Sequence, residues 1–229
     1  MAEAGDLGAA LVRAHSRSLW FTFLPLYAVS VTLALCTVGV NPYLPCALIF
    51  GLKPWFDCCL LFCLSRAVFG QPTRSLDLAQ HLKVTRFRHL LAGLTWRRFS
   101  PWRAYLLPID QLEDQRGKGR RMRRKQFLRG RRGAAFAMHV VYGYVESLLC
   151  IAVFSMAFWF VPGAELRDLW PWLRGAGSTG DAVLVTLGYA VVVGALEPFF
   201  VASGFAMYMN RRVELEAWDI EQDFRHAFP

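Results

Sequence analysis

Between Leu19 and Val40 the chain runs 22 residues without a charged side chain. As a helix rising about 1.5 Å per residue, such a run crosses the roughly 30 Å hydrocarbon core of a bilayer. It is longer than the roughly 7–15 residue apolar region of a signal peptide. A lipoprotein box ending at Cys36 fails as well, because Leu35 stands where a small residue is required. The run reads as a retained membrane helix with its N-terminus inside, preceded by a short polar stretch (1–17) carrying Arg13, His15 and Arg17. Apolar segments follow over 43–64, 134–160 and 181–209, with the uncharged turn Asn41-Pro42 between the first two. A hydrophobic content of 55% and an aromatic content of 14% agree with a membrane protein. The fold class expected is all-α, with four transmembrane helices and both termini cytoplasmic.

Charge supplies the orientation. From Arg66 to Arg132 there are 18 Lys/Arg against 4 acids, a balance of +14, whereas the rest of the chain has 8 against 13, or −5. A local cationic excess marks cytoplasmic loops. The expected parts are a first hairpin (1–66), a basic interfacial loop (67–133), a second hairpin (134–210) and a cytoplasmic amphipathic tail helix (211–229). Within the loop, residues 74–99 alternate apolar side chains with Lys83, Arg86, Arg88, Arg97 and Arg98. That is the pattern of a helix on a membrane surface, and equally of an amphipathic helix packed on protein. Trp96 and Trp102 suit the headgroup level. From Arg116 to Arg132, ten of 17 residues are Lys or Arg. No base-reading module accompanies them, so nucleic acid is not an expected partner. Contact with anionic lipid headgroups through Arg120, Arg121, Arg123, Arg124 and Lys125 is the expectation instead. Gly117-Lys118-Gly119 lacks the upstream glycine and the Ser/Thr of a phosphate-binding loop.

The apolar segments are not free of charge. Leu52-Lys53-Pro54-Trp55-Phe56 and Leu196-Glu197-Pro198-Phe199-Phe200 match at an offset of 144 residues, each with an ionisable residue before a proline. Lys53 lies 13 residues before Arg66, Glu197 lies 14 before Arg211, and Glu146 lies 14 after Arg132. Each is thus roughly 20 Å from the cytoplasmic boundary. A polar midplane layer of Lys53, Asp57, Glu146 and Glu197 is expected, with His139 about two turns nearer the cytoplasm. Lys53 and Asp57 are i,i+4 neighbours able to pair, and Lys53 can also reach Glu197. One lysine against three acids predicts that one acid is protonated or bridged by water. Pro54 and Pro198 are expected to kink their helices. Ala190, Gly194, Pro198, Ala202 and Ala206 form a small-residue ridge for close helix packing.

The six cysteines all lie in apolar segments and read as small hydrophobes. Neither a metal-ligand pair nor a nucleophile–base constellation is visible, so no metal, no cofactor and no catalytic residue is expected.

Two stretches carry a family resemblance: Glu197-Pro198-Phe199-Phe200-Val201-Ala202-Ser203-Gly204 running on to Asn210-Arg211-Arg212, and Glu214-Leu215-Glu216-Ala217-Trp218-Asp219. Asn41-Pro42, Leu64-Ser65-Arg66-Ala67-Val68-Phe69-Gly70 and Gln111-Leu112-Glu113-Asp114-Gln115-Arg116-Gly117-Lys118 add to it. The chain resembles multi-pass bacterial inner-membrane proteins, including the membrane portion of larger proteins with a domain of unknown function. Their genes neighbour MoxR-type AAA+ ATPases and transglutaminase-like proteins. The resemblance implies a bacterial inner-membrane location and no particular activity.

The function expected is a non-enzymatic scaffold that docks a membrane or cytoplasmic protein partner, or a second copy of itself, through the basic loop and acidic tail. The alternative is a small proton- or ion-coupled transporter or channel using Lys53, Glu146 and Glu197.

Overall fold

The computed structural model describes residues 2–71, 73, 77–78, 100–113, 115, 117–159 and 179–227, with the side chains of 2, 157–159 and 216–227 outside that description. Among the described residues there are seven helices and no strand. They are α1 (Ala2–Ala14), α2 (Ser16–Leu35), α3 (Leu44–Val68), α4 (Arg103–Gln111), α5 (Gly117–Leu128), α6 (Arg132–Trp159) and α7 (Thr179–Ala227). Four of them, α2, α3, α6 and α7, are long and apolar enough to cross a membrane. Apart from Asp77 and Leu78, the expected surface helix over 74–99 lies outside the described residues.

The first span stops at Leu35 rather than Val40. The Thr37 hydroxyl donates to the Ala34 carbonyl at 2.7 Å, taking up one of the free carbonyls at the helix end. Tyr43 N–H then donates to the Asn41 side chain at 2.9 Å, so Asn41 closes the turn, and Pro45 falls in the first turn of α3, where a missing N–H costs nothing. Inside α2, Thr22, Ser30 and Thr32 return their hydroxyls to carbonyls four residues back, which keeps a polar side chain satisfied in an apolar helix. At the far end of α3, Gly70 adopts φ +69°. Gly70 N–H bonds the Ala67 carbonyl and Gln71 N–H the Arg66 carbonyl, both at 3.0 Å, a left-handed glycine stop.

Every other described helix touches α7, which makes it the post of the bundle. Three features depart from the sequence reading. The stretch before the first span is not a loose polar lead. It forms α1, which buries Ala4 and Val12 and lays Gly8 against the α7 backbone. The tail does not begin a new helix at Arg211-Arg212, because α7 continues unbroken from Thr179 to Ala227. Finally, residues 103–111 leave the basic loop. As α4 they bury Ala104, Tyr105, Leu106, Pro108 and Ile109 against α7 and α3. A segment that can bury five of its nine residues is stabilised more by that burial than by lying in a cationic loop.

The ridge on α7 works differently from a plain helix–helix seam. Ala190 and Gly194 receive the Tyr27 ring, whose hydroxyl donates to the Ala190 carbonyl at 2.6 Å. Ala202 and Ser203 lie under Gly8 of α1, and Gly204 lies under Ala104 of α4. Ala206 is partly buried against the same core. Pro54 and Pro198 sit within unbroken helices. α6 packs chiefly on α7 and turns Phe136, Val140, Tyr144, Leu148, Ile151 and Met156 outward, as a lipid-facing span would.

Candidate functional site

Lys53, Asp57, Glu146 and Glu197 lie in one cluster of ion pairs, to which α3, α4, α6 and α7 each contribute. Lys53 Nζ on α3 donates to both carboxylate oxygens of Glu146 on α6, at 2.5 and 2.6 Å. It also lies 3.5 Å from Glu197 Oε2 on α7. Glu197 Oε1 accepts from Arg103 Nη2 on α4 at 2.7 Å. Arg103 Nε is in turn 3.1 Å from Asp57 Oδ2 on α3. The charges therefore form one chain, Asp57–Arg103–Glu197–Lys53–Glu146, which Tyr189 ends by donating to Glu146 Oε1 at 3.3 Å.

Lys53, Asp57 and Glu197 are 3%, 2% and 4% exposed. Groups that dry are tolerable only as partners, because removing a charge from water costs several kcal/mol unless an opposite charge replaces the solvent. Phe200 adds a face for Arg103, whose guanidinium sits 5.0 Å from the ring centroid. His139 and Tyr142 pack against the same ring at 5.8 and 5.4 Å. Tyr142 shares a 2.8 Å hydrogen bond with Ser203, so its hydroxyl is satisfied within the α6–α7 contact.

Two expectations about this layer are corrected. Lys53 and Asp57 do not form the intrahelical pair that their spacing allows. Lys53 turns to Glu146 and Asp57 to Arg103, because full burial favours a partner on another helix that brings its own packing. The count of one cation against three acids is also incomplete, since Arg103 is a second cation. Sequence reasoning assigned Arg103 to the basic loop by its neighbours in the chain. The signal that could have found it is the apolar run Ala104-Tyr105-Leu106-Leu107-Pro108-Ile109 directly after it.

The order of pairing predicts a swap. Lys53→Glu or Glu146→Lys alone should destabilise strongly, and the double variant should recover most of the loss in thermal unfolding in detergent. Swapping Lys53 with Glu197 should rescue little, because Glu197 also holds Arg103. Equal rescue by both swaps would contradict the order of pairing.

A second cluster lies toward the cation-rich end. Arg120 pairs with Asp110, and Arg123 holds both oxygens of Glu113 at 2.9 and 3.2 Å while lying 4.9 Å over the Phe127 ring. Tyr208 donates to Glu113 Oε1 at 2.7 Å, which ties α5 to α7 through the α4 exit. Tyr105 donates to the Phe127 carbonyl at 2.9 Å. Burial pushes its phenol up to about 12, so it stays a donor at neutral pH. Arg131 and Arg211 both bind Glu214. Of the five cations expected on lipid, Arg120 and Arg123 face inward and are engaged by carboxylates. Arg124 is half-buried, and burial holds its guanidinium below the usual range. Arg121 and Lys125, with Lys118, make the exposed row of α5.

No two of the described cysteines are joined in a disulfide, and Cys46 Sγ lies 3.6 Å from the Thr186 hydroxyl. Among the described residues no group of three or more His, Cys, Asp or Glu converges as a metal site would require. The architecture is compatible with a multi-pass helical membrane protein. No protein family, curated protein or solved structure matches the chain.

Proposed function

We propose that the chain is a non-enzymatic, multi-pass scaffold of the bacterial inner membrane, with both termini in the cytoplasm. The observation that carries this reading is that the layer's cations are consumed by its own carboxyl groups. Lys53 bridges Glu146 and Glu197, and Arg103 bridges Asp57 and Glu197, so two side chains fasten four helices. That is the behaviour of a lock between helices. The exposed row Lys118, Arg121 and Lys125 is the surface offered to anionic headgroups. The acidic tail and the basic loop are the parts offered to a protein partner, or to a second copy. The resemblance to proteins encoded beside AAA+ ATPases fits a role in assembly.

Transport is the second reading, favoured by one observation: the Glu146 side chain remains 21% exposed while bound directly to Lys53. Proteoliposomes separate the two. A scaffold should pass no proton or ion flux, and reversing Glu216, Asp219 and Glu221 should lower partner recovery in a pull-down several-fold. Glu214 is left intact in that experiment because Arg131 and Arg211 hold it. Flux abolished by Glu197→Gln, with partner recovery unchanged, would establish transport instead.

A further inference from the structure

The intramembrane layer carries an uneven set of charges. Among the described residues, the cations Lys53 and Arg103 face three carboxyl groups, Asp57, Glu146 and Glu197. Asp57 and Glu197 are almost completely buried, so water does not compensate the excess. Their two carboxyl groups converge on one guanidinium, Asp57 Oδ2 3.1 Å from Arg103 Nε and Glu197 Oε1 2.7 Å from Arg103 Nη2. Ionised carboxylates only accept hydrogen bonds, and two of them that close repel. Two carboxyl groups gathered on one cation can bond to each other only if one of the pair brings a proton.

The cations indicate which one. Both oxygens of Glu197 face a positive charge, Oε1 with Arg103 at 2.7 Å and Oε2 with Lys53 at 3.5 Å. Asp57 has only Oδ2 beside Arg103, and its Oδ1 is buried without a donor among the described residues. Glu146 has both oxygens on Lys53 and a third donor in Tyr189. Asp57 is thus the carboxyl group with the least compensation and the one with an oxygen free to carry hydrogen.

We propose that Asp57 and Glu197 form a proton-binding site, in which Asp57 carries the proton and donates it to Glu197, leaving the layer neutral. The titratable groups around the pair are Lys53 from α3 and Arg103 from α4, Glu146 from α6 and Tyr189 from α7 bonded behind Lys53, His139 from α6 on the Phe200 ring that carries Arg103, and Tyr27 from α2 on the Ala190 carbonyl. With the proton in place, two positive charges meet two negative ones. Without it, one negative charge is left in a dry interior, the state that is most costly there. The proposal stands whether the layer locks the helices or conducts, because it concerns the resting charge of the site.

Infrared spectroscopy of the whole protein in detergent at neutral pH tests it. The wild type should show the C=O stretch of a protonated carboxylic acid. That band should disappear in Asp57→Asn, whose amide offers Glu197 a replacement donor, and persist in Glu146→Gln. In the wild type itself, isotopically labelled aspartate should shift the band and labelled glutamate should not, so the result does not depend on any variant folding. Absence of the band from the wild type, its survival in Asp57→Asn, or a shift with labelled glutamate alone would overturn the assignment.

Discussion

Replacing Arg103 with alanine should destabilise the protein by about 3–5 kcal/mol, the usual consequence of removing one member of a buried ion pair. The loss leaves Asp57 without its cation and Glu197 with only the 3.5 Å contact to Lys53. It also removes a guanidinium packed on Phe200. Arg103→Lys should recover part of this. Lysine restores the charge but lacks the planar fork that reaches two carboxylates at once. Thermal or denaturant unfolding in detergent micelles measures both. A loss below about 1 kcal/mol, the range of an exposed pair, would mean that α4 does not seat its cation in the layer.

The second large effect is steric. A Cβ on Gly204 would stand 2.7 Å from the Ala104 carbonyl carbon and 2.8 Å from its oxygen. A Cβ on Gly8 would stand 2.6 Å from the Ser203 nitrogen. In both places the obstacle is backbone, which cannot swing away as a side chain can. Gly204→Ala and Gly8→Ala should therefore each cost about 1–3 kcal/mol through overpacking, and valine more. Gly143, where a Cβ meets nothing within 4 Å, supplies the control, and alanine there should leave stability nearly unchanged. Gly204→Ala has a further consequence. Pushing Ala104 away also moves Arg103, its neighbour in the chain, so this variant and Arg103→Ala should be markedly less than additive in a double-mutant cycle. Additive losses would show that the close contact and the ion pair are independent.

The two variants show what α4 contributes. A short helix, with Pro108 inside it, is held from three sides: Gly204 admits its backbone, the Phe127 carbonyl accepts from Tyr105, and the Cys58 carbonyl accepts from Gln111 at 3.0 Å. So fixed, it presents Arg103 to Asp57 and Glu197 as a preset counter-charge.

How much of this was legible in the chain follows from the range of each interaction. Where a helix begins is a local property, and all four long apolar helices begin within a few residues of their expected limits. Their C-terminal ends were less readable: the first helix stops at Leu35, where the Thr37 hydroxyl takes the Ala34 carbonyl, and the fourth runs on to Ala227. That Lys53, Glu146 and Glu197 could meet was equally readable, because counting residues along a helix is counting ångströms, and Lys53 does reach both acids.

Partner choice was not readable in that way. The spacing of Lys53 and Asp57 allowed an intrahelical pair, yet the fold gave each a partner from a different helix. Arg103 looked like one cation among the 18 between Arg66 and Arg132 until α4 folded back onto α7. The cationic stretch 116–132 likewise looked uniform, and only the approach of Asp110 and Glu113 divided α5 into a paired inner face and an exposed row. Which groups are ionisable, and which long helices carry Lys53, Asp57, Glu146 and Glu197, follows from length and period along one chain. The tertiary structure decided which charge meets which, because that depends on how closely helices approach. At Gly8 and Gly204 the approach is limited by a single missing methyl group.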